Sequence, residues 1–470
     1  MIETAWLLLR LTGGVASIQF FGYALFVLLV PWRSGFTSLE RGALAFGLGS
    51  FGLTLWMLLL TFLQVPYSLA SITGPWVLAA IPGLVLAWQR GWLAADCRYV
   101  AAKAHRLLTL GRGSERSRAE TLLILLLLLA FGFGLLRAML YPMWSWDALA
   151  TWGLKAKAFY LAQGVDLSRF EAHNYYPNLA PLLMAYLYFW LGGIYDHLVK
   201  ALFPLWGGAT LAMFYAFLRR LEVQRAWALG AAAFLALNGA TFLTHLYIAY
   251  ADLMLAYYQL AVAGLLLLWL WDEAPAGSGA LIAGLSGAMA WSKYEGWPLV
   301  MITFLAAFLT LIWLRPSHLA RRLVTLLLLG VGGWFFTLPW RRFVALQGLE
   351  VGTDHIGGLF LQQAVAGLWS LLSALVWPPY FGLLWPAIFV SFILAGRTLW
   401  RTPLLFLGLL LAGNLAGIVL AYALVPASPA EFHLYIRATV DRLLLHCAPA
   451  VALIFAVPLG PRAPGPAVPE

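Results

Sequence analysis

The sequence predicts an all-α polytopic membrane protein on two observations. Of its 470 residues, 63% are hydrophobic and only 10% are charged, whereas a soluble chain carries about 25% charged residues. A soluble core cannot enclose this apolar surplus, so lipid must cover much of it. Apolar runs of about 20 residues, rich in Leu, Ala and Gly, have the length of a membrane-spanning helix and lack the alternation of a β-barrel.

Apolar runs of this kind predict about 13 transmembrane helices. They lie near residues 4–30, 43–63, 67–88, 121–140, 197–218, 226–246, 253–271, 279–292, 297–314, 323–339, 379–396, 403–424 and 443–459. The first is expected to be a retained span, because it lacks a basic leader and a clear cleavage site. Neither Cys97 nor Cys447 is expected to form a disulfide or a metal knuckle.

Short basic loops orient these helices, because such loops face the cytoplasm. Segment 89–120 carries seven basic residues and three acids, and 219–225, 315–322 and 397–401 are also basic. All four fall on one face if the aromatic stretch 179–193 does not cross. We expect 179–193, and also 359–377, to be interfacial helices on the outer side. The N-terminus is then external and the C-terminus cytoplasmic, and the net charge of +10 is a topology signal that does not indicate nucleic-acid binding.

The opposite face collects mixed charge, histidines and aromatic residues. It contains segments 141–178, 250–252, 292–296, 340–358 and 425–442. Topology alone would require only Lys and Arg, so this mixture predicts a functional site. The sequence "YPMWSWDALATWGLKAKAFY" (141–160) is its clearest part.

In this stretch an acid precedes two lysines. At 100° per residue, Lys155 and Lys157 lie about 80° to either side of Asp147. We expect Trp146 and Trp152 to anchor this helix at the lipid headgroups. A carboxylate beside two ammonium groups can act as a general base near a bound anion. The alternative is an interfacial helix with ordinary salt links.

Other candidates lie at the edges of later spans. Asp252 opens a span, where it either caps the helix N-terminus or faces a cavity. Lys293 and Glu295 lie in a short turn between two spans, where they either belong to the site or form only the polar tip of a hairpin. Arg442 and His446 share a helix face, where a cation pair meets an anion such as a lipid headgroup or a phosphorylated substrate. His433 and Arg437 precede them, and His173 and His446 could also be structural histidines. The sequence contains no HExxH, P-loop, GxSxG or CxxC motif, and no convincing inverted repeat.

The order of these motifs resembles the GT-C superfamily of integral-membrane glycosyltransferases. An acid in the first large outer loop is followed by a basic helix, "NYYPNLAPLL", "YADLMLAYY" and "WSKYEGW". The motifs are most similar to those of the bacterial aminoarabinose-transferase and protein O-mannosyltransferase branch. The resemblance covers most of residues 121–460. It implies a GT-C-like bundle in the bacterial inner membrane, with a site facing the periplasm and a polyprenyl-phosphate sugar as donor.

The resemblance also assigns roles. Asp147 matches the catalytic acid of the first loop, Asp252 the second acid, and Lys155 or Lys157 a phosphate-binding base. "YYPNL" (175–179), which includes Tyr176, resembles a Tyr/Lys-Pro-Pro stretch but has Asn178 where a second Pro is common. Further departures are three spans before the catalytic loop instead of one, "WDALATW" in place of an Asp-Glu pair, and no soluble C-terminal domain.

These observations give one mechanistic hypothesis. Asp147 deprotonates an acceptor hydroxyl of a glycan, lipid or protein, and Asp252 and His173 orient the sugar or the acceptor. Lys155, Lys157 and Arg442 stabilise the departing polyprenyl phosphate. The predicted substrate- and phosphate-binding residues are Lys155, Lys157, His173, Tyr176, Lys293, Glu295, His433, Arg437, Arg442 and His446. No cofactor is expected; a divalent metal near the acids is possible but not indicated. A flippase of lipid-linked sugars and a non-catalytic lipid-binding subunit are the alternatives.

The chain divides into three parts on this interpretation. Residues 1–120 hold the N-terminal spans and the basic loop. Residues 121–340 form the catalytic module with its large outer loop 141–196. Residues 341–470 hold the C-terminal spans, outer loops and a disordered Pro-rich tail.

Overall fold

The computed structural model describes residues 2–108, 117–168, 170, 173–349, 351 and 356–460. Throughout these ranges the chain forms helices and connecting turns, without a strand. The predicted Pro-rich tail lies almost wholly outside the described residues, as do 109–116, Glu171, Glu350, Asp354 and His355.

Among the described residues, the first half of the chain contains eleven α-helices. They are α1 (Ile2–Leu29), α2 (Ser38–Phe62), α3 (Leu69–Gln89), α4 (Trp92–Leu108), α5 (Arg118–Leu140), α6 (Gly153–Ala162), α7 (Leu179–Leu191), α8 (Asp196–Val199), α9 (Leu202–Arg220), α10 (Arg225–Ala236) and α11 (Gly239–His245). A π-helical segment, Ala148–Trp152, leads directly into α6.

The described part of the second half contains eleven more. They are α12 (Asp252–Leu270), α13 (Ser278–Ser292), α14 (Gly296–Leu314), α15 (Leu319–Phe335), α16 (Leu338–Leu346), α17 (Leu361–Val376), α18 (Pro378–Phe381), α19 (Leu384–Arg401), α20 (Leu405–Leu424), α21 (Pro429–Val451) and α22 (Ala456–Leu459). A 3-10 turn, Ala452–Phe455, joins α21 to α22.

Ten helical stretches of the described residues are long and apolar enough to cross a membrane. They are Glu3–Leu29, Ser38–Phe62, Leu69–Gln89, Arg118–Leu140, Asp196–Arg220, Asp252–Leu270, Gly296–Leu314, Leu319–Leu346, Leu405–Leu424 and Ala430–Leu459. The prediction of an all-α polytopic membrane protein is therefore confirmed, whereas the count of 13 stays a prediction.

The three remaining predicted spans are interrupted or short. Predicted span 226–246 is divided between α10 and α11, which are separated by Leu237 and Asn238. Helix α13 has only 15 residues. Helix α19 is broken by Gly396, whose φ of +48° is not helical.

Capping side chains fix where several helices begin. Thr37 accepts a hydrogen bond from the backbone N–H of Glu40, and the Glu40 carboxylate accepts one from the backbone N–H of Thr37. Ser428 and Glu431 form the same reciprocal pair at the start of α21. Such a pair satisfies two backbone donors that the first helical turn leaves free.

Helices α1 and α2 cross in direct backbone contact. A methyl group added at Gly22 would lie 1.7 Å from the carbonyl oxygen of Ala45, and one at Gly49 would lie 2.0 Å from that of Ile18. Small residues allow this close approach between helices within a bilayer. The pair therefore forms a fixed platform against which α3 and α7 pack.

We expect Gly22→Ala to destabilise the protein by about 1–3 kcal/mol, because the two helices must move apart. Gly132→Ala in α5 is the matched control, since the added methyl group meets no atom within 4 Å. Alanine favours a helix over glycine by about 1 kcal/mol, so the control should unfold at the same or a higher temperature. Equal thermal unfolding of both variants in detergent would contradict the crossing.

The basic loops meet at one end of the bundle, the basic end. Arg41 pairs with Asp96 of α4, and Arg220 pairs with Glu40. The backbone N–H of Ala276 donates to the carbonyl of Ser34 over 3.1 Å. Segments 89–108 and 219–225, two of the four segments that the charge pattern grouped, thus share this end, together with the turn 274–279.

Helix α7 corrects one prediction. Its sequence was expected to lie at the lipid interface, but most of it is buried against α1, α2 and α6. The hydroxyls of Tyr186 and Tyr188 bond Ser17 and Asp196, each over 2.6 Å. The tyrosines are therefore buried inside the protein, where their hydroxyls find protein partners, and do not form a belt among headgroups.

Candidate functional site

A buried carboxylate forms the centre of the candidate site. Asp252 is the first residue of α12, and its side chain is 0% exposed. Its Oδ1 accepts hydrogen bonds from Lys293 Nζ at 2.9 Å and contacts His446 Nε2 at 2.8 Å. Arg442 approaches Oδ2, with its terminal nitrogen at 3.2 Å. Ala251 occupies the N-cap position, so Asp252 does not cap the helix.

Two further carboxylates complete what we term the charged cluster: Asp147, Asp252, Lys293, Glu295, Arg442 and His446. Arg442 donates to Asp147 Oδ2 over 2.6 Å while it also contacts Asp252. Lys293 Nζ lies 2.8 Å from Glu295 Oε1. The cluster joins the loop before α6, the start of α12, the turn between α13 and α14, and the middle of α21. These elements meet at the bundle end opposite the basic loops, the site end.

Exposure within the charged cluster is graded. The side chains of Asp252, His446 and Lys293 are at most 4% exposed. Those of Asp147 and Glu295 are 27% and 31% exposed. The cluster therefore presents two carboxylates outward and seals the third inside.

The charges in the cluster are nearly balanced. Three carboxylates face one guanidinium, one ammonium and one imidazole. Burial opposes ionisation of Glu295, but the charge and hydrogen bond of Lys293, together with His446, hold the pKa of Glu295 below its usual range. Arg442 and Lys293 are already paired, so an incoming anion must exchange with a carboxylate to reach either of them.

Tyr250 holds the loop that carries Asp147. Its hydroxyl lies 2.6 Å from Ser145 Oγ and accepts from the backbone N–H of Asp147 at 3.3 Å. The Arg442 guanidinium lies 4.6 Å from the centre of the Tyr250 ring. Sequence reasoning did not select Tyr250 as a site residue, although its position two residues before Asp252 was a usable signal.

The predicted grouping of Asp147 with Lys155 and Lys157 is wrong. Residues Ala148–Trp152 form a π-helix, whose wider turn invalidates a count of 100° per residue. Lys155 is fully buried and donates to the carbonyl of His173, and Lys157 pairs with Asp196 at 2.6 Å. Trp152 is 1% exposed and so does not anchor at headgroups, whereas Trp146 is 78% exposed.

The buried Lys155 gives the protein a testable pH dependence. Burial lowers the pKa of Lys155 to about 7, against about 10.4 in an unfolded chain. Between these values the unfolded state binds the proton and the folded state does not, so stability should rise with pH, by at most about 1.4 kcal/mol per unit.

We expect unfolding midpoints measured from pH 7 to 10 to show this rise, and Lys155→Met to remove it. Lys157→Met is the control, because Lys157 is partly exposed and paired. The same pH slope in wild type and Lys155→Met would contradict the assignment.

The aromatic loop 173–176, which precedes α7, lies beside the charged cluster. Tyr176 stacks on Tyr294 with ring centres 5.5 Å apart, and its ring lies 4.8 Å from that of His173. Trp340 of α16 donates to the carbonyl of Tyr175 over 2.9 Å. Tyr176 is 6% exposed, so it packs the loop against the Lys293–Glu295 turn.

The remaining predicted residues lie farther out on α21. His433 and Arg437 are exposed. Within the described residues neither has an ion pair with the cluster, whereas Arg442 and His446, farther along the same helix, do. The described part of the chain contains no group of three His, Cys, Asp or Glu residues arranged to hold a metal ion.

Comparison with known proteins gives no match to a family model, a curated protein or a solved structure. Fold and site therefore define the class: an all-α integral membrane protein with a charged cluster at one end of its bundle.

Proposed function

We propose that the protein is a membrane glycosyltransferase that moves a sugar from a polyprenyl-phosphate donor to an acceptor at the outer face of the bacterial inner membrane. One observation carries the proposal. A partly exposed carboxylate, Asp147, is held by Arg442, which is anchored in turn on the buried Asp252. A pair of this kind offers a base and a phosphate-binding cation side by side.

The proposed reaction is a direct displacement. Asp147 takes the proton of an acceptor hydroxyl, whose oxygen forms a bond to the anomeric carbon. The bond from that carbon to the phosphate oxygen breaks, and its electron pair leaves with the polyprenyl phosphate. Arg442 stabilises the departing charge, as a preorganised cation facing developing phosphate charge does.

The geometry supports roles different from those that the resemblance implied. Asp252 has no exposed surface and contacts three basic side chains. It therefore acts as a positioning residue that orients Arg442. Lys155 and Lys157 are engaged elsewhere, so the proposal assigns neither to the phosphate.

The membrane setting suits such a substrate. We place the basic end in the cytoplasm, following the positive-inside rule, and the site end in the periplasm. An interfacial segment at 359–377 and about 13 crossings remain part of this proposal. A polyprenyl chain would stay in lipid while its sugar phosphate reaches headgroup depth.

One observation favours a transporter of lipid-linked sugars as a second candidate. Gln259 donates to Asn414 over 3.3 Å, and both amides are buried two turns of α12 away from Asp252. Polar groups deep in a bundle are typical of transport pathways. They also join helices in enzymes of any kind.

Purified protein in nanodiscs, supplied with radiolabelled undecaprenyl-phosphate sugars and candidate acceptors, separates the two. A glycosyltransferase releases undecaprenyl phosphate and yields a labelled product. Nanodiscs have no closed compartment, so a transporter produces no change. Intact donor across a full panel of sugars and acceptors would contradict the proposal.

A further inference from the structure

We propose that Arg341 binds the phosphate of the lipid-linked substrate at the rim of the charged cluster. The identity of the ligand rests on the proposed function. The position and state of the arginine rest on the contacts described below.

Four of the cations that the sequence favoured are already engaged, whereas Arg437 is exposed farther out on α21. Lys155 donates to a backbone carbonyl, and Lys157 pairs with Asp196. Lys293 and Arg442 each contact two carboxylates. An entering phosphate therefore needs a first partner that is not committed to a carboxylate.

Arg341 meets this requirement. It is exposed on α16, and within the described ranges it forms no ion pair. Its guanidinium lies 5.7 Å from the centre of the Trp297 ring. Trp297 is the second residue of α14 and follows Glu295 by two residues, so this contact places the arginine against the start of α14.

Helix α16 is fixed in place beneath this arginine. The Trp340 indole donates to the Tyr175 carbonyl over 2.9 Å. Its ring packs against Trp291 at 5.5 Å and stacks on Phe343 at 5.4 Å. These contacts tie α16 to α13 and to the loop that carries Tyr176.

The chemistry of this arrangement suits a phosphate group. A guanidinium held over an indole by a cation–π contact keeps its N–H edge free and loses part of its mobility. That edge presents two parallel donors to phosphate oxygens. Arg341 would therefore capture the phosphate first and hold it near Arg442, where exchange with Asp147 can follow.

The test measures binding of undecaprenyl phosphate to the full chain in phosphatidylcholine nanodiscs. Arg341→Gln should weaken binding about tenfold, because a charge-assisted contact to phosphate is lost. Arg342→Gln, which removes an equal charge from the next, also exposed, residue of α16, should leave it within about twofold. Uncharged undecaprenol should bind both variants as it binds wild type.

Outcomes separate this inference from the proposed function. If wild type and Arg341→Gln bind undecaprenyl phosphate equally, or if both arginine variants lose the same affinity, Arg341 is not the phosphate site. Equal displacement by phosphatidylglycerol would show an ordinary headgroup contact and would also overturn the inference. If wild type does not bind undecaprenyl phosphate at all, the donor class of the proposed function is wrong as well.

Discussion

Replacing Asp252 with alanine is expected to destabilise the folded protein by about 3–5 kcal/mol, because removal of one partner leaves buried charge uncompensated. The buried Lys293 lies 2.9 Å from Oδ1, and Arg442 approaches Oδ2. Asp252→Asn keeps the shape but removes the charge, so it should also destabilise, though less. Unfolding of the purified protein in a denaturing detergent titration measures both.

Asp272→Asn provides the matched control. Asp272 follows the other end of α12, pairs with Arg322 and has a side chain that is 75% exposed. An exposed pair contributes about 0–1 kcal/mol, so this variant should unfold close to wild type. If Asp252→Ala is no less stable than Asp272→Asn, the charged cluster does not hold α12, α13 and α21 together.

Replacing Asp147 with asparagine should reduce sugar transfer by about 10²- to 10⁴-fold, the usual contribution of a general base. Asparagine keeps the size of the side chain but cannot take up the acceptor proton. Asp147 is 27% exposed, and in this variant Arg442 keeps its ion pair with Asp252. The loss of stability should therefore be small. Initial transfer rates of wild type and Asp147→Asn at saturating donor measure the effect. Their unfolding midpoints check that the variant is folded.

Glu295→Gln is the control for Asp147→Asn. It also removes a partly exposed carboxylate of the charged cluster, and Lys293 keeps Asp252 as its partner. We expect its transfer rate to fall by less than about tenfold, since Glu295 has no assigned proton-transfer step. Full turnover by a folded Asp147→Asn protein would disprove the assignment of the base.

Composition and helix length were enough to predict the fold class. Lipid-facing helices of this length have few alternatives, and two of the four basic segments, 89–108 and 219–225, lie at one end as predicted. The helix breaks at Asn238 and Gly396 were not predicted. Burial of α7 was missed because its tyrosines fit an interface and a core equally well until their hydroxyl partners are known.

The site was predicted in part. Asp147, Asp252, Lys293, Glu295, Arg442 and His446 were selected individually, and the structure brings them together. No pattern could show that Arg442 joins two acids, since it lies 295 positions from Asp147 in the sequence. The lysines were misplaced because a π-helical segment shifted the helix phase. Arg341 was not selected because its exposure and its contact with Trp297 arise only on folding.

The anomeric configuration of the product tests the central claim most directly. One base at Asp147 and direct displacement of polyprenyl phosphate require inversion at the anomeric carbon. Nuclear magnetic resonance of the product formed from a donor of known configuration reads this out. An inverted product is the predicted result, and a product of retained configuration would contradict the proposed mechanism.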